Sequence, residues 1–336
     1  MEFVQYQTGT DDEGRRLDKV LRILFPDTPL SAFYGSIRKG LIRINQKKVK
    51  QDYHISSGDV IYVADFLAFS KDMQPEQSEN NKKKINSTEV GCIFRNRHIL
   101  VLNKPFDIPV HETGSYKGIT LNQIVLEKYN DPSDSLSFKP GPLHRLDRKT
   151  TGLIVFSQSI KGAHEFSELL KRHEIKKHYL SIVEGKLSKK ETYTDFLSKD
   201  TDENDRTFHT VKVRNLKDSA SDSDEKQAVT TVTPLSSGVY KGITVTLVDV
   251  EIETGRMHQI RSQCASHGFP LLGDTAYGSS FKDGFYLHAY KLELPQPNSL
   301  DLPDVLFAPL PERFLSFIEN YLSAADLSLY NEISQK

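Results

Sequence analysis

The spacing of apolar residues predicts a small mixed module at the start of the chain. After Arg16, apolar positions recur every three or four residues, which indicates an amphipathic helix that ends at Pro26. A second short helix is predicted from Ser31 to Gly40, and two apolar runs, Leu41–Asn45 and Val60–Val63, predict strands. The residues expected to face inward on the first helix are Leu17, Val20, Leu21, Leu24 and Phe25.

Two later apolar segments predict strands, and one of them leads into a helix. Residues 152–156 form a continuous apolar run of the length of a buried strand, whereas residues 243–253 alternate between apolar and polar positions. A Thr-Gly pair ends the alternation. Helical spacing then runs from Met257 to His267, with Cys264 on the apolar side and Gly268 as the terminator. The pattern is typical of an α+β chain.

Asp147 is a candidate functional carboxylate, because it lies on the connection that enters the predicted strand at residue 152. Arg145 and Arg148 flank it, and a nearby cation favours the ionised form of a carboxylate. An ion-paired aspartate that only caps a turn is the alternative, since structural ion pairs have similar surroundings.

The start of the predicted helix after residue 256 is a candidate anion site. Four polar residues crowd this first turn: Arg256, His258, Gln259 and Arg261. Backbone amides and guanidinium groups at a helix start attract either a carboxylate of the same protein or a phosphate. A solvated polar face is the alternative.

Several spaced segments resemble the motifs of one family, the RluA family of pseudouridine synthases. Residues 144–152 are similar to its H-R-L-D-x-x-T-[ST]-G signature, and residues 254–261 to its T-G-R-x-H-Q-I-R helix, which a G-D-x-x-Y-G loop follows. Residues 103–111 resemble N-K-P-x-G-x-x-V-H, with Asp107 where the family has Gly. Residues 177–185 resemble K-x-Y-x-x-x-V-x-G, and an L-H-A follows at 287–289, so the resemblance covers roughly residues 95 to 295.

This resemblance implies the conversion of uridine to pseudouridine in RNA, by a domain with a mixed, largely antiparallel sheet. The reaction is an isomerisation, so no cofactor and no metal are expected. Asp147 would be the catalytic carboxylate, acting either as a nucleophile or as a base on the ribose. Tyr179 would stack on the flipped uracil, although a strand aromatic in the core is the alternative reading. Arg261 would pair with Asp147, Ile260 would pack beside the base, and Arg145 would also contact the substrate.

A basic segment near the N-terminus suggests an RNA-binding module. Residues 36–50 contain six basic residues and no acidic one, and they resemble the RNA-binding domain named after ribosomal protein S-four, with Gln46 in place of a frequent Gly. A solvated charged face is the alternative. Together with the synthase motifs, this module characterises the RluC-like branch, which acts on large-subunit (23S) ribosomal RNA. The expected RNA-binding residues are Arg38, Lys39, Arg43, Lys47 and Lys48.

Overall composition gives no sign of a nucleic-acid partner, since the formal net charge is -1 and the pI is near 6.8. Acidic runs at 200–205 and 218–225 offset the basic segment. The two cysteines, Cys92 and Cys264, have neither zinc-site nor disulfide spacing, and Cys264 is expected to pack in its helix. No long apolar run or signal peptide is evident, so we expect a cytoplasmic, soluble protein without an obligate protein partner.

We predict three parts: an S-four-like RNA-binding domain over residues 1–70, a flexible linker over 71–88 and a catalytic domain over 89–325. The polar stretch 198–227 is interpreted as a surface hairpin that takes no part in catalysis. A non-catalytic RNA-binding or ribosome-assembly factor and a synthase acting on transfer RNA are alternative functions. A glycoside hydrolase is disfavoured, because such enzymes generally use two carboxylates and no second one is linked by motif to Asp147.

Overall fold

The computed structural model describes residues 2–68, 89–112, 116–129, 135–199, 210–215, 225–282 and 284–322. The predicted linker at 71–88 lies outside these residues. Backbone contacts group the chain into two compact units. The first comprises Met1–Glu89, Lys117–Gly141 and Ser157–Ala163, and the second comprises Val90–Tyr116, Pro142–Phe156 and His164–Lys336. Two segments of the region predicted to be catalytic therefore belong to the first unit, and the predicted domain boundaries stay a prediction.

The first unit contains a three-stranded antiparallel sheet with the order β1-β3-β2. The strand β1 was not predicted, because its alternating residues border a polar loop and resemble an exposed segment. The strands are β1 (Phe3–Gln7), β2 (Ile42–Ile44) and β3 (Val60–Ala64), and the helices are α1 (Leu17–Leu24), α2 (Leu30–Lys39) and α3 (Asp65–Ala68).

The apolar face predicted for α1 forms much of the core of this unit. Four of its five residues are buried, and Leu24 is partly buried. The start of α1 is fixed by Asp18, whose buried carboxylate accepts hydrogen bonds from the guanidinium of Arg16 and from the hydroxyl of Tyr34. After β2, Asn45 and Gln46 adopt positive φ angles of 48° and 65°. Gln46 thus takes the left-handed conformation for which the related modules often use Gly.

The second unit is built on a large sheet with the strand order β10-β9-β11-β12-β8-β13-β7-β5-β4, and β14 pairs with β13. The pair β7–β13 is parallel, whereas β12–β8, β11–β12 and β13–β8 are antiparallel, which confirms a mixed, largely antiparallel sheet. The strands are β4 (Gly91–Arg95), β5 (Ile99–Lys104), β6 (Gly141–Pro142), β7 (Thr151–Ser157), β8 (Lys176–Glu184), β9 (Glu191–Lys199), β10 (Val211–Asn215), β11 (Lys226–Tyr240), β12 (Ile243–Ile252), β13 (Leu287–Glu293) and β14 (Val305–Phe307).

Beside short 3-10 helices at Thr10–Asp12 and Thr275–Tyr277, four further α-helices are present, and the fold is α+β as predicted. They are α4 (Leu121–Lys128), α5 (Ile160–Lys171), α6 (Gln259–Ser266) and α7 (Glu312–Tyr321). Predicted strands at 152–156 and 243–253 correspond to β7 and β12, and the predicted helix from Met257 begins two residues later, at Gln259.

The contact between β7 and β13 brings two motifs that are distant in sequence together next to Asp147. Gly152 has a φ of 105°, and a side chain at this position would collide with the carbonyl of Ala289. Beside it, the hydroxyl of Thr151 lies 2.8 Å from Nδ1 of His288. Gly152, which follows the Asp147 loop, and Ala289 of the L-H-A segment therefore make one close contact between the two strands.

The predicted hairpin at 198–227 is present in part, since β9 and β10 pair in antiparallel fashion. Its remaining residues, 200–209 and 216–224, lie outside the described part of the chain. Cys264 is fully buried in α6, as predicted. Within the described residues, no helix is long and apolar enough to cross a membrane, and no cluster of three potential metal ligands occurs.

Candidate active site

Asp147 lies on the loop that leads into β7, where the sequence placed it. Its backbone carbonyl accepts a hydrogen bond of 3.1 Å from the amide of Thr150, which closes the turn before the strand. The carboxylate is 24% exposed and is therefore accessible from a cavity while the protein holds it on one side. A carboxylate in this position can react with a bound molecule.

Arg261 is the partner of Asp147 in the ion pair that the family resemblance implies. Its Nη1 lies 3.2 Å from Oδ2 of Asp147. The other side of the same guanidinium is bound in bidentate fashion by Asp274, with Nε–Oδ2 at 2.6 Å and Nη2–Oδ1 at 2.9 Å. Of the two anions considered for this helix start, the structure places carboxylates of the protein itself against Arg261. We call these three side chains the ion cluster.

Two of the three side chains of the ion cluster are buried, and their geometry is tightly constrained. The side chain of Arg261 is 9% exposed and that of Asp274 is 2% exposed. Burial by itself would lower the pKa of Arg261, but the hydrogen bond and charge of Asp274, with a smaller effect of Asp147, raise it above its ordinary value. The guanidinium also lies over the rings of Phe285, at 4.4 Å, and Tyr277, at 5.0 Å. These contacts fix the cation that faces Asp147.

His258 makes a second contact with Asp147, and Tyr277 bonds the other nitrogen of its ring. Nε2 of His258 lies 3.8 Å from Oδ2 of Asp147, and its Nδ1 lies 2.9 Å from the Tyr277 hydroxyl. The backbone amide of Val211 donates to the same hydroxyl oxygen at 3.0 Å. The hydroxyl proton is thus free to bond Nδ1, which favours the tautomer with its proton on Nε2, facing Asp147. Burial lowers the pKa of His258, so a neutral imidazole is expected. The hairpin strand β10 therefore supports the site through Val211.

Tyr179 and Ile260 line a cavity of about 190 Å³ together with Asp147 and Arg261. Tyr179, on β8, is 6% exposed, and Ile260, on α6, is 5% exposed. Burial, with the charge of Asp147, raises the pKa of Tyr179, so its hydroxyl keeps its proton at neutral pH. The cavity offers an aromatic ring, an aliphatic side chain and a paired carboxylate to one small group.

The two arginines that flank Asp147 have different surroundings. Arg145 is exposed and lines the cavity. Arg148 instead pairs with Asp107 at 2.7 Å, with both side chains about half exposed. The arginine that pairs with Asp147 is thus Arg261. His144, beside Arg145, is a hydrogen-bond acceptor for the amide of Val155 at 3.1 Å, and burial lowers its pKa to about 4.

A wider cavity of about 430 Å³ adjoins the first one and shares Tyr179, Arg145 and Arg256 with it. Its basic lining residues are Arg145, Lys171, His173, Lys177 and Arg256. Basic side chains beside a small pocket suit a polyanion whose single unit enters the pocket.

The RNA-binding residues predicted in the first unit lie on its surface, with one exception. Arg38, Lys39, Lys47 and Lys48 are exposed. Arg43 is half-buried, donates to the carbonyl of Gly40 at 2.8 Å and lies over the ring of Phe3, so it also holds the fold. A separate cavity of about 750 Å³ in this unit was not predicted as a binding surface, and its basic lining residues are Arg15, Arg16, Lys19, Arg22 and His54.

Three residues that support the site were not assigned roles from the sequence: Asp274, Tyr277 and Lys104. Asp274 and Tyr277 belong to the G-D-x-x-Y-G loop, whose position next to Arg261 only the fold reveals. Lys104 is fully buried, and its Nζ donates to the carbonyls of Pro105, Ile108 and Arg148 at 2.8–3.0 Å. Burial lowers the pKa of Lys104 to about 7, although the charges of Asp147 and Asp107 oppose this change. The sequence of the N-K-P segment does not indicate that its Lys is buried.

Comparison with known proteins identifies the family of this chain. A family model described as RNA pseudouridylate synthase matches residues 98–266, which is half of the chain, and it includes Asp147, Tyr179 and Arg261. The chain belongs to the RNA pseudouridylate synthase family. Its predicted enzymatic activity, the isomerisation of uridine to pseudouridine in RNA, is thereby confirmed. A second model, the S4 domain, matches residues 15–61 and confirms the N-terminal RNA-binding module.

Relatives of the synthase cover nearly its whole length. Ribosomal large subunit pseudouridine synthase D of Nitrosomonas europaea is 28% identical over 319 residues, which are 91% of this chain and 84% of the relative. Ribosomal large subunit pseudouridine synthase C of Vibrio vulnificus is 26% identical over 322 residues, which are 92% and 94% of the two chains. The solved structure of human RNA pseudouridylate synthase domain containing 1 is 21% identical, has a TM-score of 0.56 and covers 74% of this chain and 96% of its own. That structure supports the fold alone.

Proposed function

We propose that this synthase modifies uridine in large-subunit ribosomal RNA, in the cytoplasm, with Asp147 as its catalytic carboxylate. The observation that carries the residue assignment is the Asp147 carboxylate, paired with Arg261 at 3.2 Å and facing the cavity that contains Tyr179. The printed names of the bacterial relatives, which describe large-subunit enzymes, support the choice of RNA.

In the proposed reaction, the target uridine leaves its stack and its base enters the small cavity. The ring of Tyr179 stacks on the uracil and replaces part of the lost base stacking, and Ile260 packs beside it. The bond from the ribose to N1 of uracil breaks, the base turns, and a bond from the ribose to C5 forms. N1 gains a proton and C5 releases one to water, so the atoms balance without a redox partner.

The ionised carboxylate of Asp147 serves this reaction in one of two ways. It either attacks covalently or removes a proton from the ribose. Both routes need a charged carboxylate within a site that a nucleotide closes, where an unpaired carboxylate would take up a proton. Arg261 supports the charged form, and the neutral Tyr179 hydroxyl adds no competing negative charge. Arg145, exposed at the cavity edge, is placed to contact the RNA.

The test is Asp147→Asn, which keeps the size of the side chain and removes both the nucleophile and the base. We expect pseudouridine formation to fall below detection while RNA affinity changes only a few-fold. The measurement is the release of tritium from uridine labelled at C5 in unmodified large-subunit ribosomal RNA, beside the release from transfer RNA. Release by the variant at the wild-type rate would contradict the role of Asp147, and wild-type release from transfer RNA alone would contradict the proposed substrate.

A further inference from the structure

The turn after β5 presents an aromatic ring at the protein surface. Phe106 follows Pro105 on this turn and is 42% exposed. The next residue, Asp107, has a φ of 64°. This left-handed conformation favours Gly, the residue that the related motif has at this position. An aspartate tolerates this conformation better than most residues, so the turn keeps its shape and leaves the preceding side chain directed away from the core.

Two sets of contacts bind this turn to the catalytic loop. The buried ammonium of Lys104 donates to the carbonyls of Ile108 and Arg148, both at 2.8 Å. The carboxylate of Asp107 accepts from Nε of Arg148 at 2.7 Å. Because Arg148 directly follows Asp147 in the chain, the turn that carries Phe106 is held in a fixed place beside the catalytic carboxylate.

The ring of Phe106 is supported from within the second unit. A Cβ atom placed on Gly284 would lie 3.2 Å from Cζ of Phe106, so the missing side chain leaves room for the ring. The guanidinium of Arg313 lies 5.6 Å from the ring centroid and is itself stacked 3.9 Å from the ring centroid of Tyr286. Arg313 also donates a hydrogen bond to the carbonyl of Gly284. Phe106 thus packs against the guanidinium of Arg313, which its other contacts hold in position.

The catalytic loop, which this turn contacts through Lys104 and Asp107, is rich in cations. The catalytic loop exposes Arg145, Arg148 and Lys149. Arg148 also lies over the ring of Tyr116, 5.5 Å from its centroid. Proteins that hold single-stranded RNA combine aromatic rings, on which bases stack, with cations that follow the phosphates. Phe106 and the cations of the catalytic loop provide the same two components, next to a site that takes one nucleotide.

We propose that Phe106 is a stacking platform for a base of the substrate RNA that flanks the target uridine. This inference rests on the proposed function, since it assigns a place to the strand outside the small cavity. Stacking accepts any base, so the platform strengthens RNA binding and holds the strand in register without reading its sequence. The occupant is a nucleobase of the substrate, and the nearby cations bind its phosphates.

The absence of tryptophan from the chain allows a direct test. Phe106→Trp introduces a single indole fluorophore at the platform. Titration with unmodified large-subunit ribosomal RNA should quench its emission strongly, because a stacked base quenches indole. Val239→Trp is the matched control, since Val239 is also an exposed apolar residue of the second unit, 63% exposed, and belongs to β11. Its emission should change little.

The kinetics of a second pair of variants distinguish base stacking on an aromatic ring from simple contact with an apolar side chain. Phe106→Leu should raise KM for RNA about ten-fold, the size of effect expected for one lost stacked base, with kcat within about two-fold. Phe106→Tyr should keep the wild-type KM. Thermal unfolding should change little for both, because the ring is 42% exposed and each replacement keeps an apolar side chain of similar size.

The outcomes also distinguish this inference from the proposed function. Quenching of the indole in Phe106→Trp by RNA, with a raised KM for Phe106→Leu only, supports the platform. An unquenched indole in that variant, or equal KM values for the Leu and Tyr variants, overturns it even if the wild type makes pseudouridine. If the wild type modifies transfer RNA only and transfer RNA quenches the indole, the platform stands and the proposed substrate falls.

Discussion

Positive charge occurs in two settings in this molecule, and the two obey different physics. In the ion cluster, Arg261 is buried and contacts two carboxylates at defined distances. On the surface of the first unit, Arg38 and Lys39 are exposed to water. Buried charges interact strongly, and loss of one partner leaves an uncompensated charge. Exposed charges are screened by salt and act almost independently. The ion cluster is therefore expected to serve the reaction, and the basic surface of the first unit is expected to serve RNA affinity.

The largest expected effect is that of Arg261→Met, which removes the cation shared by the partly exposed Asp147 and the buried Asp274. We expect kcat to fall by at least about a thousand-fold and stability to fall by about 3–5 kcal/mol, because Asp147 loses its partner and Asp274 is left buried and unpaired. Tritium release and thermal unfolding measure the two effects. Arg97→Met is the matched control, since Arg97 is an exposed arginine of the second unit that lines neither cavity and should lose far less.

Combining the variants tests whether the cluster acts as a unit. Because Asp147→Asn alone is expected to be inactive, the free energy of unfolding is compared instead of the rate. Asp147→Asn with Arg261→Met should lose less stability than the sum of the two single variants, as expected for side chains in contact. An additive loss of stability would mean that the two side chains do not interact, and the comparison between cluster and surface would fail.

A smaller effect is expected at Tyr179, which contributes a ring to the cavity without belonging to the ion cluster. Tyr179→Phe should keep RNA affinity, and any loss of rate should report the part of its hydroxyl in proton transfer. Tyr179→Ala should lose both affinity and rate. Tritium release and RNA titration measure these effects, and unfolding provides the control. If the Ala variant fails to fold while Tyr179→Phe is fully active, the ring has a core role and the stacking assignment is wrong.

The ion cluster also separates what the sequence predicts from what only the fold supplies. The helix start at Arg261 and the strand after Asp147 were predicted, because both follow from periodicity and from motif order. The role of Asp274 was not predicted, since nothing in the neighbouring sequence indicates that its carboxylate is buried. It meets Arg261 because Gly273, with a φ of 88°, lets the chain pass against the carbonyl of Gly284. Such a contact depends on backbone approach, which periodicity does not encode.

The same limit applies to the cations. Arg148 was expected beside Asp147 because the two residues are neighbours in sequence, yet its side chain pairs with Asp107. Sequence adjacency does not fix side-chain direction in a loop. Similarly, Arg43 counts as one of six surface charges in the sequence, whereas its guanidinium packs over Phe3 in the fold. Charge counts therefore predict a basic surface better than they predict which cations are available.

On the exposed side of the comparison, Arg38→Gln with Lys39→Gln should weaken RNA binding evenly across sequences. If both track phosphates, the slope of log affinity against log salt should flatten by about 1.4 units, or about 0.7 for each contact with single-stranded RNA. The measurement is RNA titration at several salt concentrations. Lys189→Gln with Lys190→Gln removes the same charge from exposed lysines of the second unit and should leave the slope unchanged. Equal slopes for all proteins would contradict a role of this surface.

The smallest effect is expected for Asp107, whose ion pair with Arg148 lies next to the catalytic loop but is about half exposed on both sides. Such a pair contributes only about 0.2–1 kcal/mol. Asp107→Gly and Asp107→Ala both remove it, but the Gly variant relieves the left-handed conformation that the Ala variant must still adopt. Asp107→Gly should therefore be more stable than Asp107→Ala by about 0.5–1 kcal/mol, measured by denaturant unfolding. A loss of several kcal/mol in both variants would show that nearness to Asp147, rather than burial, decides the strength of an ion pair here.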